Sequence, residues 1–176
     1  MELISAEYRS LNEQLHESNP EYGVSGQKYL NHVVEIAQAV GTQDILDYGC
    51  GKSTLAHNLP FIIKQYDPAI PKFSEPPQPA DVVVCTDVLE HVEPELIDNV
   101  LQHLASLTKK AGFFTAATRP AKKTLADGRN AHILVKSGNW WIQKIAALFT
   151  ILRFEQHPGC CVFYVEPLQQ EANADA

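Results

Sequence analysis

A chain of 176 residues is long enough for one domain with a full core and too short for two of ordinary size. Apolar residues make up 45% and charged residues 20%, the balance of a soluble globule, and no apolar run approaches the roughly 18 residues of a membrane span. The net charge of −7 argues against an extensive duplex-DNA footprint.

The N-terminal stretch MELISAEYRSLNEQLHE lacks the basic-then-apolar pattern of a secretory leader, so a cytoplasmic protein is expected. Residues 1–27 are expected to form a helix and a covering loop, 28–168 the main domain, and 169–176 a frayed tail. Tyr29, Val33, Ile36, Ala37 and Val40 fall at helical spacing, with Gly41 where a C-cap glycine belongs. DILDYG reads as a short buried strand ending in a Gly-rich turn, Ser53 to Asn58 as a short helix, and FIIKQY (61–66) as a second strand. The Pro-rich segment DPAIPKFSEPPQPA must be loop. DVVVCT (81–86) is an apolar run typical of a strand covered on both faces. Pro94 suits the first turn of a helix carrying Leu96, Ile97, Val100, Leu101, Leu104 and Leu107 on one side. GFFTAAT is strand, 119–136 a loop, Asn139 to Phe149 a helix, and TILRFEQ with CCVFYVE a hairpin around His157-Pro158-Gly159. Strand and helix alternate, which predicts the parallel α/β class. Cys50, Cys85, Cys160 and Cys161 show no CxxC or metal-ligand spacing and read as free thiols.

The stretch DYGCGKST (47–54) contains two partial motifs. A phosphate-binding P-loop requires a glycine five positions before Gly51-Lys52, and that position is Leu46, inside the strand. A dinucleotide fingerprint fits Gly49 and Gly51, but its third glycine position is Thr54. Asp47 would also repel a pyrophosphate lying near the first glycines. An acid there suits a ligand with a positively charged end.

Together these residues resemble the class I S-adenosylmethionine-dependent methyltransferases, with ILDYGCG as first motif, QYDP as second and ADVVVCTDVLEHVEPE as the fourth-strand motif. The resemblance spans Tyr29 to Val165 and implies a Rossmann-like fold, S-adenosylmethionine as cofactor, and an antiparallel C-terminal hairpin. It implies that Asp47 anchors the amino-acid end of the cofactor, that Gly49 and Gly51 let the backbone pass close, and that Asp67 takes both ribose hydroxyls. Thr86 and Asp87 would run beside the methionine part. YGVSG (22–26) and PAKKTLADGRNAH are similar to small methyltransferase-like proteins of bacteriophages. Ser53 stands where the family has a third glycine. Only 13 residues separate Asp67 from Asp81, where the family places a helix and a third strand, so six strands are expected instead of seven. Ile70 or Phe73 is the expected cover for the adenine ring.

For the acceptor, the signal is charge. Arg119, Lys122, Lys123, Arg129 and Lys136 face only Asp127, so the loop carries +4 on an otherwise acidic chain. Arg119 and Arg129 are expected to hold a phosphate, which points to a nucleotide, a nucleic acid or a phosphorylated small molecule. His132, or else His91, is the candidate general base. Asp87 and Glu90 also suit helix capping, Lys52 a solvated position, and Trp140 and Trp141 packing. Two other readings stay open: a non-catalytic S-adenosylmethionine-binding module or partner subunit, and an enzyme that cleaves S-adenosylmethionine without an acceptor.

Overall fold

The computed structural model describes residues 1–168; the tail 169–176, expected to fray, lies outside the described residues. Strands β1 (Ile45–Tyr48), β2 (Lys64–Tyr66), β3 (Ala80–Cys85) and β4 (Thr108–Ala117) run parallel. Strands β5 (Phe149–His157) and β6 (Cys160–Pro167) form the expected antiparallel hairpin, and β6 pairs with β4. The order across the six-stranded sheet is β2-β1-β3-β4-β6-β5.

Alternation along each strand divides the core between two faces. Leu46, Val83, Phe114 and Phe163 point to the face covered by α4 (Ile97–Leu107) and α5 (Gly138–Ala146), which contribute Val100, Leu101, Leu104, Trp141 and Ile145. Ile45, Val82, Val84 and Phe113 point to the other face, covered by α2 (Leu30–Val40) and α3 (Thr54–Asn58) through Val33, Ile36, Ala37 and Leu55. Both faces being covered explains why β1 is buried throughout and β3 nearly so. Helix α1 (Ala6–Ser18) stands apart, packing Tyr8 and Leu15 on Leu125 and Ala131 of the long loop after β4. Gly41 ends α2 at φ 71°, as the C-cap reading requires.

Several boundaries differ from expectation. Strand β4 starts at Thr108 instead of Gly112, and α5 ends at Ala146 instead of Phe149. The strand expected over 61–66 shrinks to Lys64–Tyr66, and Ile62 is 94% exposed. Among the described residues β2 is an edge and pairs only with β1, so Ile62 turns to solvent while Phe61 and Ile63 pack on the core. Helix α4 starts at Ile97, leaving Pro94 in the turn before it. Helix α5 starts at Gly138, one residue ahead of the expected Asn139, because the Ser137 hydroxyl accepts the Trp140 N–H at 3.3 Å and caps it. Between β2 and β3 the chain makes a single 3-10 turn, Pro71–Phe73, in place of a helix and strand.

Leu104→Ala, at a site with no exposure, is expected to cost about 3 kcal/mol and lower the unfolding midpoint by roughly 6–12 °C. Ile62→Ser is expected to leave it within about 2 °C. Thermal unfolding of both variants checks the core and the short β2 together.

Candidate active site

A cavity of about 500 Å³ opens where β1, β2, β3 and β4 end, the region in which open α/β sheets hold ligands. Its lining includes Asp47, Gly49, Gly51, Asp67, Thr86, Asp87, His91, Arg119 and His132, so nine of the ten expected site residues converge there.

Asp47, near the end of β1, is 4% exposed and has no side-chain hydrogen bond among the described residues. Burial, aided by the charge of Asp67, pushes its carboxyl up to about 7. Asp67 follows β2 and is satisfied by the main chain: Oδ2 accepts the Gly51 N–H and Oδ1 the Ala69 N–H, each at 3.0 Å. Burial raises its pKa, and those two bonds oppose the rise. The two glycines are needed for packing as well as for turn geometry. Gly49 sits at φ 79°, and a Cβ there would overlap Val88. Gly51 sits at φ 51°, and a Cβ there would lie 2.7 Å from the Gly23 carbonyl oxygen. Ser53 adopts φ 61°, the left-handed conformation that a glycine would supply more easily.

After β3, Thr86 is buried and Asp87 is itself left-handed at φ 55°. The Asp87 N–H donates to Thr115 Oγ1 at 3.0 Å, and its carboxylate lies 4.0 Å from Lys28 Nζ. Neither Asp87 nor Glu90 caps α4, whose N-cap is Leu96 without a side-chain bond.

The N-terminal segment covers the cavity with Tyr8, Asn12, His16 and Tyr22. It is held to the glycine loop because the Lys52 N–H donates to Gly23 O at 2.9 Å and Lys52 Nζ donates to Asn19 O at 2.6 Å. Lys52 is therefore a tether rather than a solvated side chain. At the start of α1, Ser5 donates its N–H and hydroxyl to the Glu93 carboxylate at 2.8 and 2.6 Å.

His91 and His132 meet edge to face, ring centroids 4.8 Å apart. His91 Nδ1 lies 2.7 Å from Ala131 O, and His132 Nδ1 lies 2.7 Å from Arg119 O. Carbonyls only accept, so both Nδ1 atoms carry a proton, and in the neutral rings Nε2 is the nitrogen with the lone pair. Burial and the neighbouring His132 hold His91 down to about 4.

The basic loop does not act as one unit. Arg119, Lys122 and Lys123 line the cavity, whereas Arg129 does not. Its Nε donates to Asp127 Oδ2 at 2.6 Å and its guanidinium lies over the Tyr8 ring. The expected two-arginine phosphate clamp is therefore not assembled. Ile70 and Phe73 do not line the cavity either; Pro68 and Ala69 do. Trp141 is fully buried in the core under α5, as packing predicts.

Glu90, whose place in the sequence suits a helix cap, lies in the interior instead. It has no exposure, and neither carboxylate oxygen makes a close, well-aligned hydrogen bond among the described residues. Burial and the nearby Asp87 charge push it up to about 8, opposed by the Glu90 and Ala117 main-chain N–H groups and the Arg119 charge. Nothing in DVLEHV distinguishes a buried acid from a cap, because only the 3-10 turn Leu89–His91 turns it inward.

Residues 27–170 match the family model of the methyltransferase domain. The chain belongs to the class I S-adenosylmethionine-dependent methyltransferases. Solved methyltransferases share its fold. Magnesium protoporphyrin IX methyltransferase from Synechocystis, crystallised with S-adenosylmethionine, is 15% identical over 93% of this chain and 99% of its own, with a TM-score of 0.63. The 1,6-didemethyltoxoflavin-N1-methyltransferase of Burkholderia thailandensis is 14% identical over 95% of this chain and 92% of its own, at 0.63. The N-methyltransferase NodS of Bradyrhizobium japonicum is 12% identical over 94% of this chain and all of its own, at 0.60. Comparison by sequence with curated proteins finds no match.

Within this methyltransferase the raised Asp47 carboxyl has a consequence for stability. The folded chain keeps that proton up to about pH 7, while the unfolded chain loses it near 3.8, so stability falls as pH rises between those values. Asp47→Asn, which removes the ionisation, is expected to raise the unfolding midpoint at pH 8 by several degrees and to change it little at pH 4. Midpoints at pH 4, 6 and 8 check this; equal midpoints at pH 8 would show that Asp47 is not held as a buried acid.

Proposed function

We propose that the cavity binds S-adenosylmethionine along Asp47, Gly49, Gly51, Asp67, Thr86 and Asp87, and that the acceptor enters past Arg119, Lys122 and Lys123. When bound, S-adenosylmethionine supplies an activated methyl group. The observation that carries the reading is Asp47: a buried carboxylate with no partner among the described residues, facing a cavity of ligand size. A cationic amino-acid end would neutralise it, whereas a phosphate would be repelled. Asp67 already accepts two main-chain N–H groups and has lone pairs left for ribose hydroxyls. The N-terminal cover, tethered through Lys52, would exclude water and hold the two ligands in line.

The acceptor is proposed to be small or nucleotide-like and anionic. Three cationic side chains stand on the cavity wall, and Arg119 has no ion-pair partner among the described residues. Structural neighbours include enzymes named for magnesium protoporphyrin IX and for 1,6-didemethyltoxoflavin, both small molecules, which supports an acceptor of that size. His132 and His91 stand beside this route, each with an Nε2 lone pair to offer to a proton or to a cation.

Calorimetric titration with S-adenosylmethionine and S-adenosylhomocysteine should give micromolar binding, with ATP and NAD as non-binding controls. Asp47→Asn should weaken both ligands by roughly 10–100-fold, the scale of one lost charge-assisted hydrogen bond. For the wild type, affinity should rise between pH 5.5 and 8 as Asp47 gives up its proton near 7. ATP or NAD binding in place of S-adenosylhomocysteine would overturn the reading. Removing the charges of Arg119, Lys122 and Lys123 together should leave S-adenosylhomocysteine affinity within about threefold, because these side chains are assigned to the acceptor.

A further inference from the structure

The buried carboxylate that the proposed methyl-donor site does not use is Glu90, and it lies against two histidines. One ligand atom from each of Glu90, His91 and His132 falls within 4.8 Å of the other two. Glu90 is fully buried, and neither oxygen makes a close, well-aligned hydrogen bond among the described residues, the Glu90 and Ala117 main-chain N–H groups and the Arg119 charge compensating it only in part. A buried carboxylate left short of partners is costly, and a cation is one of the few groups that compensates it. The histidines are prepared in the way metal-bound histidines are. Each donates Nδ1–H to a main-chain carbonyl, Ala131 O for His91 and Arg119 O for His132, both at 2.7 Å. That bond fixes the ring and leaves Nε2 as the lone-pair nitrogen. The backbone is held as well: the Leu134 N–H donates to Glu90 O at 3.0 Å, so the loop bearing His132 is fastened to the Leu89–His91 turn on both sides.

We infer that Glu90, His91 and His132 bind a divalent transition-metal ion at the wall of the cavity. Two imidazoles and one carboxylate suit Mn²⁺, Fe²⁺, Co²⁺ or Zn²⁺, whereas Mg²⁺ and Ca²⁺ prefer an all-oxygen shell. Bonds of about 2.0–2.2 Å place neighbouring ligands roughly 3–3.5 Å apart, so the three side chains would draw together by about an ångström. His91 and His132 both line the cavity, so an ion held by them would lie at its wall with coordination positions left to fill. Resting on the proposed function, those positions would take water or an oxygen of the acceptor, beside Arg119. The rings then act as ligands, in place of the general-base role expected of them.

The test uses the full chain without an affinity tag, treated with chelator and titrated with Co²⁺, Zn²⁺, Mn²⁺ and Mg²⁺ by calorimetry, with the Co²⁺ visible spectrum recorded. One equivalent of Co²⁺ should bind at micromolar concentration, and Mg²⁺ at least about 100-fold more weakly. Glu90→Gln, which preserves volume, and His132→Ala, on a partly exposed loop, should each weaken Co²⁺ by at least about 30-fold. Both variants should keep S-adenosylhomocysteine affinity within about threefold, which shows that they fold. Absence of saturable binding of Co²⁺, Zn²⁺ and Mn²⁺, or binding unchanged in both variants, overturns the metal site. Wild type that binds S-adenosylhomocysteine but no metal leaves the proposed function standing, and metal binding without S-adenosylhomocysteine does the reverse.

Discussion

Two carboxylates buried at the ends of adjacent strands organise this molecule. Asp67 gives its oxygens to the Gly51 and Ala69 N–H groups, which joins the loop after β1 to the loop after β2. Asp47, one strand over, receives nothing in return, and the charge of Asp67 makes its own ionisation harder. The main chain thus satisfies one acid and leaves the other without a partner among the described residues. Burying Asp47 without such a partner costs stability wherever the group is ionised.

The same economy runs through the cover. Gly51 touches Asp67 on one side and the Gly23 backbone on the other, so a side chain at 51 would disturb both. From Gly23 the cover continues to Tyr22, whose hydroxyl bonds Asn12 at 3.2 Å and lies 3.3 Å from His91 Nδ1. One short segment therefore touches the glycine loop at one end and the histidine pair at the other. A shift of the cover would be felt at both, through a chain of named contacts.

Much of this was legible in the sequence, for identifiable reasons. DILDYG and DVVVCT read correctly because parallel strands covered on both faces need unbroken apolar runs. The placement of Asp47 and Asp67 at neighbouring strand ends was readable because ILDYG and QYDP each set an acid at the end of an apolar run. FIIKQY misled because apolar content cannot report whether a neighbouring strand exists; Ile62 faces solvent beside an edge. Arg129 misled through charge counting, although ADGR carried a usable signal. Asp127 Oδ1 accepts the Arg129 N–H at 3.0 Å, an Asx turn that also claims the guanidinium. Glu90 carried no usable signal, since its burial depends on a turn direction that composition does not encode.

The shortened segment between β2 and β3 is best understood from its hydrogen bonds. The Ile70 N–H donates to Asp67 O, the Phe73 N–H to Ile70 O, and the Asp67 N–H to Phe73 O, so the chain closes on itself directly after the acid. Prolines at 68 and 71 restrict it further. A small hydrogen-bonded knot thus holds Asp67 from the loop itself. What positions Asp67 is local, so β2 can stand at the sheet edge without loosening the acid. The cost falls on β2, three residues long and exposed at its edge, and on the cavity wall, which Pro68 and Ala69 form where larger side chains were expected.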